Sequence, residues 1–398
     1  MTIEKQFERI DEIAFINQKK VLDAFREHRV SEAHFAPTSG YGYDDLGRDT
    51  LDKIYADVFG CESALVRHNF VSGTHALTVM LFSVLRPGDT LLAATGKPYD
   101  TLENVIGIGK KSGTTLADFG IKYAQADLKD GLPDYDEITK KLSDPTVKAV
   151  LIQRSKGYDW RPSLDMDKME RLISFIKNKK PGVIVLVDNC YGEFVEEREP
   201  VSIGADLMAG SLIKNPGGGL AQTGGYIAGK EEYVRLAADF LTAPGIGLEC
   251  GANLGTVKSM YQGFFMAPHT VACAVKTAVY CAAEMQKLGY EVSPLPDEKR
   301  TDIIQAVKLG NAEKVIKFCQ GIQAASPVDA HVTPTPWDMP GYTSQVIMAA
   351  GTFVSGASIE ISADAPIREP YVVYLQGGLT YEAGKIAVMS AVNEINKI

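Results

Sequence analysis

Three short segments of this 398-residue chain hold side chains whose types and spacing suit covalent chemistry at an amine. In DLMAGSLIKNPGGGLAQTGGYIAG (206–229), an apolar strand pattern runs into Ser211 and Lys214, and a glycine-rich turn follows. A lysine between an apolar strand and closely approaching backbone is set up for a lowered pKa and Schiff-base formation. A solvated loop lysine is the plainer alternative. In VIVLVDNCYGEF (183–194), five apolar residues stop at Asp188, with Asn189, Cys190 and Tyr191 behind it. Ligands of open α/β sheets lie outside the carboxyl ends of the strands, so this carboxylate would face a site. Burial penalises an isolated anion, and Asp188 therefore calls for a cationic partner such as a protonated pyridine nitrogen, unless it is a cap or turn residue. In VSGTHAL (71–77), Ser72, Gly73 and Thr74 stand where a strand gives way to a helix. Their N–H groups and hydroxyls would hold a phosphate at the positive helix end. Capping alone also explains them.

These groups need a scaffold, and the pattern around them supplies one. Strands are expected at 63–68, 89–94, 121–127, 147–153, 183–188, 206–211 and 225–229, alternating with helices at 74–85, 100–107, 134–142 and 165–178. That alternation implies an α/β fold with a mostly parallel sheet covered on both faces. Residues 1–50 read as an amphipathic helix followed by an ordered loop arm, HFAPTSGYGYDDLGRD, 51–254 as a large domain, and 255–398 as a smaller α+β domain.

Other chemistries lack their signatures. The chain has no GxxxxGK[ST], no GxGxxG after a strand and no HExxH, and its six histidines form no ligand pattern, so ATP, NAD and metal sites are not expected. The six cysteines show no paired short spacing, against a zinc site or disulfide framework. A net charge of −9 disfavours nucleic acid, and no apolar run is long enough for a bilayer. The expectation is a cytoplasmic protein with no nucleic-acid or membrane partner.

The order SGT, KPYDT, VDNCYGEF, GSLIKNPGGG resembles the γ-subfamily of pyridoxal-5′-phosphate (PLP) enzymes, which includes cystathionine lyases and methionine γ-lyase. More closely, YGYDDLGRDTL, TGKPYDTLE, TAPGIG, SPVDAHV, PWDMPGY and REPYVVYLQGGLTY, spread over nearly the whole chain, resemble the methionine γ-lyase family, also labelled aluminium resistance proteins. The resemblance implies the PLP-dependent transferase (aspartate aminotransferase) fold. It makes Lys214 the cofactor lysine, Asp188 the pyridinium partner, and Ser72, Gly73, Thr74 and Ser211 the phosphate cup. Tyr99 would stack on the ring and assist the leaving group. Tyr43 and Arg48 would reach a neighbouring subunit's phosphate in a homodimer or homotetramer, and Arg368 is the candidate for the carboxylate of an amino-acid substrate.

Departures from the relatives sharpen the expectation. Ile213 replaces a common Thr before the lysine. QRSKGYDWRPS (153–163) replaces an Asn-Pro element, leaving Arg154, Ser155 and Arg161 as candidates to bond the cofactor's phenolic oxygen. Thr101 stands where methionine γ-lyases have Cys, which argues against a methionine specialist. The implied activity is a carbon–sulfur lyase acting on cystathionine, cysteine or a related amino acid. An aminotransferase, racemase or γ-replacement synthase, or a PLP-binding regulator or metal-tolerance protein without catalysis, are the alternatives.

Overall fold

The structure, a computed structural model, describes residues 3–109, 112–339, 342 and 344–398. Parts of GIGKKSG and of PWDMPGY lie outside the described residues. Helix α1 (Ile3–Glu27) and helix α2 (Leu46–Phe59) precede the first strand, β1 (Ser63–Arg67). Then follow α3 (Gly73–Val84), β2 (Thr90–Ala93), α4 (Asp100–Ile106), β3 (Lys122–Gln125), the two short strands β4 (Leu128–Lys129) and β5 (Leu132–Pro133), and α5 (Tyr135–Leu142). The large sheet is completed by β6 (Val147–Gln153), α6 (Met166–Lys179), β7 (Ile184–Asp188), β8 (Leu207–Ser211), β9 (Gly225–Gly229) and α7 (Glu231–Leu241).

Its seven strands run in the order β1-β9-β8-β7-β6-β2-β3. The pairings among β8, β7, β6, β2 and β3 are parallel, and β9 lies antiparallel to both its neighbours. Successive side chains of a strand face opposite ways. Thus Val185 and Val187 enter one core with α1, α2 and α6, while Ile184 and Leu186 enter the other with α3 and α7. Burial on both faces is why these strands read as near-continuous apolar runs. Helix starts follow local capping: the Asp165 side chain accepts from Lys168 N at 2.7 Å, and Asp134 from Asp136 N at 2.9 Å.

One helix departs from the sequence reading. The second half of the expected loop arm opens α2, because the Asp45 side chain accepts from Arg48 N at 2.9 Å and caps it. Gly47, which looks like a breaker, is needed there: a Cβ would lie 2.1 Å from the His34 carbonyl oxygen.

The long helix α8 (Val257–Lys287) joins the two sheets. Residues up to Val279 pack in the large-sheet core, and Cys281, Ala282 and Met285 pack in the C-terminal one. The second sheet contains β10 (Glu291–Ser293), β11 (Gln305–Lys308), β12 (Val346–Ala349), β13 (Ser362–Pro366) and β14 (Val372–Gln376), in the order β10-β11-β14-β13-β12, all antiparallel. Helices α9 (Ala312–Ala324) and α10 (Tyr381–Ile395) cover one face of it. No helix among the described residues is long and apolar enough to cross a membrane.

Candidate active site

Adjacent carboxyl ends of the large sheet assemble the site. Strand β7 ends at Asp188 and β8 at Ser211, and Gln153 at the end of β6 is the register partner of Asp188. Ser72 caps α3, its side chain accepting from His75 N at 3.1 Å. The α3 start is pressed against β8: a Cβ on Gly73 would sit 3.2 Å from Ser211 Cβ and 3.7 Å from Cys190 Sγ. Glycine here keeps the backbone N–H groups of the helix start open beside Ser211. Thr74 shares a hydroxyl contact of 3.0 Å with Thr101, which ties the start of α3 to α4.

Lys214 follows β8 by three residues, and the glycines after it let the loop seat against α8. A Cβ on Gly218 would stand 2.3 Å from the Gly263 carbonyl oxygen, and φ there is +55°. The Lys214 Nζ lies over the Tyr191 ring, 4.0 Å from its centroid. Tyr191 holds that place with φ of +74°, a backbone state uncommon for a residue with a bulky side chain. Asp188 is buried, and one of its oxygens accepts from Cys190 N at 3.1 Å.

Electrostatics tie these groups together. Burial pushes the Asp188 carboxyl up, opposed by the Lys214 charge. Burial also pushes the Cys190 thiol well up, aided by Asp188 and opposed by Lys214. For Lys214 the expectation of a lowered pKa is corrected: burial does pull it down, yet Cys190, Tyr191 and Asp188 around it outweigh that and the net direction is up. The sequence pattern revealed the apolar strand and not the polar ring that folding places about the amine.

Tyr99 precedes α4, its N–H donating to Gln153 Oε1 at 2.8 Å and its hydroxyl 2.6 Å from that of Tyr342. Arg368 is exposed at the turn between β13 and β14, and its charge acts on Tyr374. Arg154 is fully buried and turned beneath the sheet to Asn189 Oδ1 (2.9 Å), Glu199 (3.3 Å) and Glu196 (3.4 Å). Arg161 donates to the Ser155 carbonyl at 2.9 Å. Arg48 is buried and donates to the Gly42 and Gly251 carbonyls at 2.7 and 2.9 Å, whereas Tyr43 is 58% exposed and stacks on Tyr41. Sequence reasoning gave no role to Gln153, Tyr158, Tyr342 and Asp364. For Gln153 the signal was its place at a strand end beside Asp188; the others have no local one.

These residues fit PLP: a cup of N–H groups and hydroxyls for its phosphate, a buried carboxylate for its ring nitrogen, and an amine for its aldehyde. A family model described as methionine gamma-lyase matches residues 1–396. The chain belongs to that family. Within it, the uncharacterized protein YnbB of Bacillus subtilis (strain 168) is 56% identical over 388 residues, covering 97% of this chain and 92% of that protein. A structure from Listeria monocytogenes str. 4b F2365, provisionally assigned as a cystathionine beta-lyase involved in aluminum resistance, superposes with a TM-score of 0.97 at 56% identity, covering 99% of this chain and 97% of that one. A carbon-sulfur lyase involved in aluminum resistance from Clostridium novyi NT gives 0.95 at 52%, covering 100% and 93%. The architecture is that of the PLP-dependent fold type I proteins, shared with members only 15% and 18% identical.

Proposed function

We propose that the protein is a PLP-dependent carbon–sulfur lyase that releases a thiol from Cβ or Cγ of a sulfur-containing L-amino acid, leaving ammonia and a 2-oxo acid. The observation that supports this is the convergence of Lys214, Asp188 and the α3 start with Ser211 at adjacent strand ends, with the Tyr99 phenol close enough to Tyr191, the ring beneath Lys214, to feel its charge. Bound PLP supplies an electron sink for charge developing at the substrate α-carbon. Ser72, Gly73, Thr74 and Ser211 would hold its phosphate, and the Asp188 carboxylate would keep a proton on its ring nitrogen. The Lys214 amine would carry the cofactor and, released as a neutral amine when the substrate's own amine takes its place, would be the base for the α-proton. Tyr99, whose phenol burial holds well above its ordinary pKa, stays protonated and donates to the departing sulfur. With water consumed, one C–S bond is exchanged for a thiol, ammonia and the oxo acid.

Exposed apolar residues beside the cup support an assembly. Val71, next to Ser72, is 78% exposed, and Tyr41 and Tyr43 of the arm stand out with it. We take these as the surface a second copy covers, in a homodimer or homotetramer whose Tyr43 reaches the neighbour's phosphate. The direct test incubates the holoenzyme with L-cystathionine, L-cysteine and L-methionine and measures 2-oxo acid and thiol together. Equimolar release from cystathionine or cysteine is expected. Oxo acid without thiol, or methionine exceeding both in kcat/KM, would overturn the reading.

A further inference from the structure

The face of the C-terminal sheet that looks toward Lys214 carries polar atoms for which the fold provides no partner. Along β13 and β14, Ala363, Ala365, Val373 and Leu375 enter the core under α9 and α10. Alternation therefore puts Ser362, Asp364, Tyr374 and Gln376 together on the opposite face. The register sets Ser362 across from Gln376 and Asp364 across from Tyr374. Ser362, Asp364 and Gln376 are 4%, 7% and 2% exposed, and Ser362 Oγ, Asp364 Oδ1 and Gln376 Oε1 have no partner at full hydrogen-bond geometry, although the Tyr158 hydroxyl comes near enough to Asp364 to favour its charged form. One bond joins the set, from Gln376 Nε2 to Asp364 Oδ2 at 3.2 Å. Buried polar atoms are nearly always matched, because an unmatched one loses its water and gains nothing in return. Three such atoms on one patch mark a place for a ligand.

The surroundings say which ligand. The Tyr158 ring lies 5.3 Å from that of Tyr374 and 5.8 Å from those of Tyr99 and Tyr342, and all four are close enough to influence one another or Asp364. Tyr99, Tyr158 and Tyr342 each keep some exposure. Lys214 is the charged group that acts on Asp364, and Tyr191, whose ring lies under the Lys214 amine, packs with Tyr158 on the cluster that contains Tyr374, so the patch and the amine are neighbours. A carboxylate ringed by aromatic faces is complementary to an ammonium group, by charge and by the ring quadrupoles. Burial pushes the Asp364 carboxyl up to about 7, so a bound ammonium gains by ionising it.

We propose that Asp364, with Gln376, Ser362 and the Tyr158 and Tyr342 rings, forms a distal subsite for the second ammonium group of a diamino-acid substrate. The inference rests on the lyase reading for the reaction, and on the polar patch and its aromatic rings alone for the binding. The holoenzyme is titrated with L-cystathionine and with S-(3-carboxypropyl)-L-cysteine, which keeps the scissile C–S bond and the distal carboxylate and lacks the distal amino group. Binding is read from the cofactor's visible absorbance, and turnover from 2-oxo acid. Cystathionine should bind about 10- to 100-fold more tightly, as befits a charged hydrogen bond. Asp364→Asn should bring that ratio to within about threefold of one. Equal wild-type affinities, a comparison that needs no variant, would overturn the subsite, as would an Asp364→Asn protein that keeps the full preference. A binding preference with no 2-oxo acid from either ligand would support the subsite and sink the lyase reading. Turnover of both ligands with equal affinity and equal kcat/KM would do the reverse.

Discussion

Replacing Tyr99 by phenylalanine separates a chemical role from a structural one, because the two predict effects of very different size. The substitution deletes one hydroxyl, whose partner is the Tyr342 hydroxyl at 2.6 Å, and leaves the ring and the Tyr99 N–H bond to Gln153 in place. Losing that hydrogen bond costs about 0.5–1.5 kcal/mol of stability. At about 2.1 cal/mol/K per residue, unfolding entropy for a chain of this length is about 0.8 kcal/mol/K, so Tm should fall by only about 1–2 °C. Losing a general acid instead adds about 2.7–5.5 kcal/mol to the barrier, slowing elimination by about 10² to 10⁴. Tyr99 is suited to the part, since burial, with Tyr191 and Tyr342 nearby, raises its pKa well above the ordinary phenol value and keeps the proton in place at neutral pH. The assay is thiol release under saturating substrate, with cofactor content and Tm measured on the same preparation. Tyr342→Phe removes the same bond from its other end and should slow the reaction less than about tenfold. If Tyr99→Phe matches wild type within about threefold, or Tyr342→Phe is equally slow, Tyr99 is not the acid.

Borohydride reduction of the yellow holoenzyme should fix the cofactor to Lys214, as located by peptide mass spectrometry. An adduct on Lys156, which donates to the Ser293 carbonyl at 2.9 Å, or on Lys230, paired with Asp206 at 2.8 Å, would show the site to be misplaced. Mixing inactive Tyr43→Ala and Lys214→Ala chains after subunit exchange should restore up to about a quarter of wild-type activity if sites are shared in a dimer, and none if each chain works alone. Glu193 gives a pH test: burial, with Glu199 adding to it, pushes its carboxyl up to about 8 from an ordinary 4.5. The native state then keeps a proton that the unfolded chain releases, so this contribution is complete below about 4.5 and is lost as pH rises to about 8. Glu193→Gln should therefore gain in Tm relative to wild type by about a few degrees between pH 5 and 8, and a pH-independent difference would contradict the buried acid.

Much of this protein is written locally in its chain. The seven large-sheet strands are legible because burial on both faces demands apolar runs, and their ends are legible because Asp188 and Ser211 interrupt those runs. Lys214 is marked by the glycines that its loop needs to approach α8, and the cup by residues that also cap α3. Those features are contiguous, so composition and spacing carry them. The start of α2 was hidden, since a polar cap and a glycine required by a distant carbonyl look like loop. Side-chain direction was not legible either. Arg154 points under the sheet because Glu196, Glu199 and Asn189 meet there, and Arg368 stands exposed at the turn between β13 and β14. Nor does any local pattern bring Asp364 within reach of Lys214, 150 residues earlier, or slide Tyr191 beneath that amine. Strand periodicity and stops depend on neighbours in sequence. Which polar groups share a cavity depends on how two sheets dock about α8, and only the packed tertiary structure decides that.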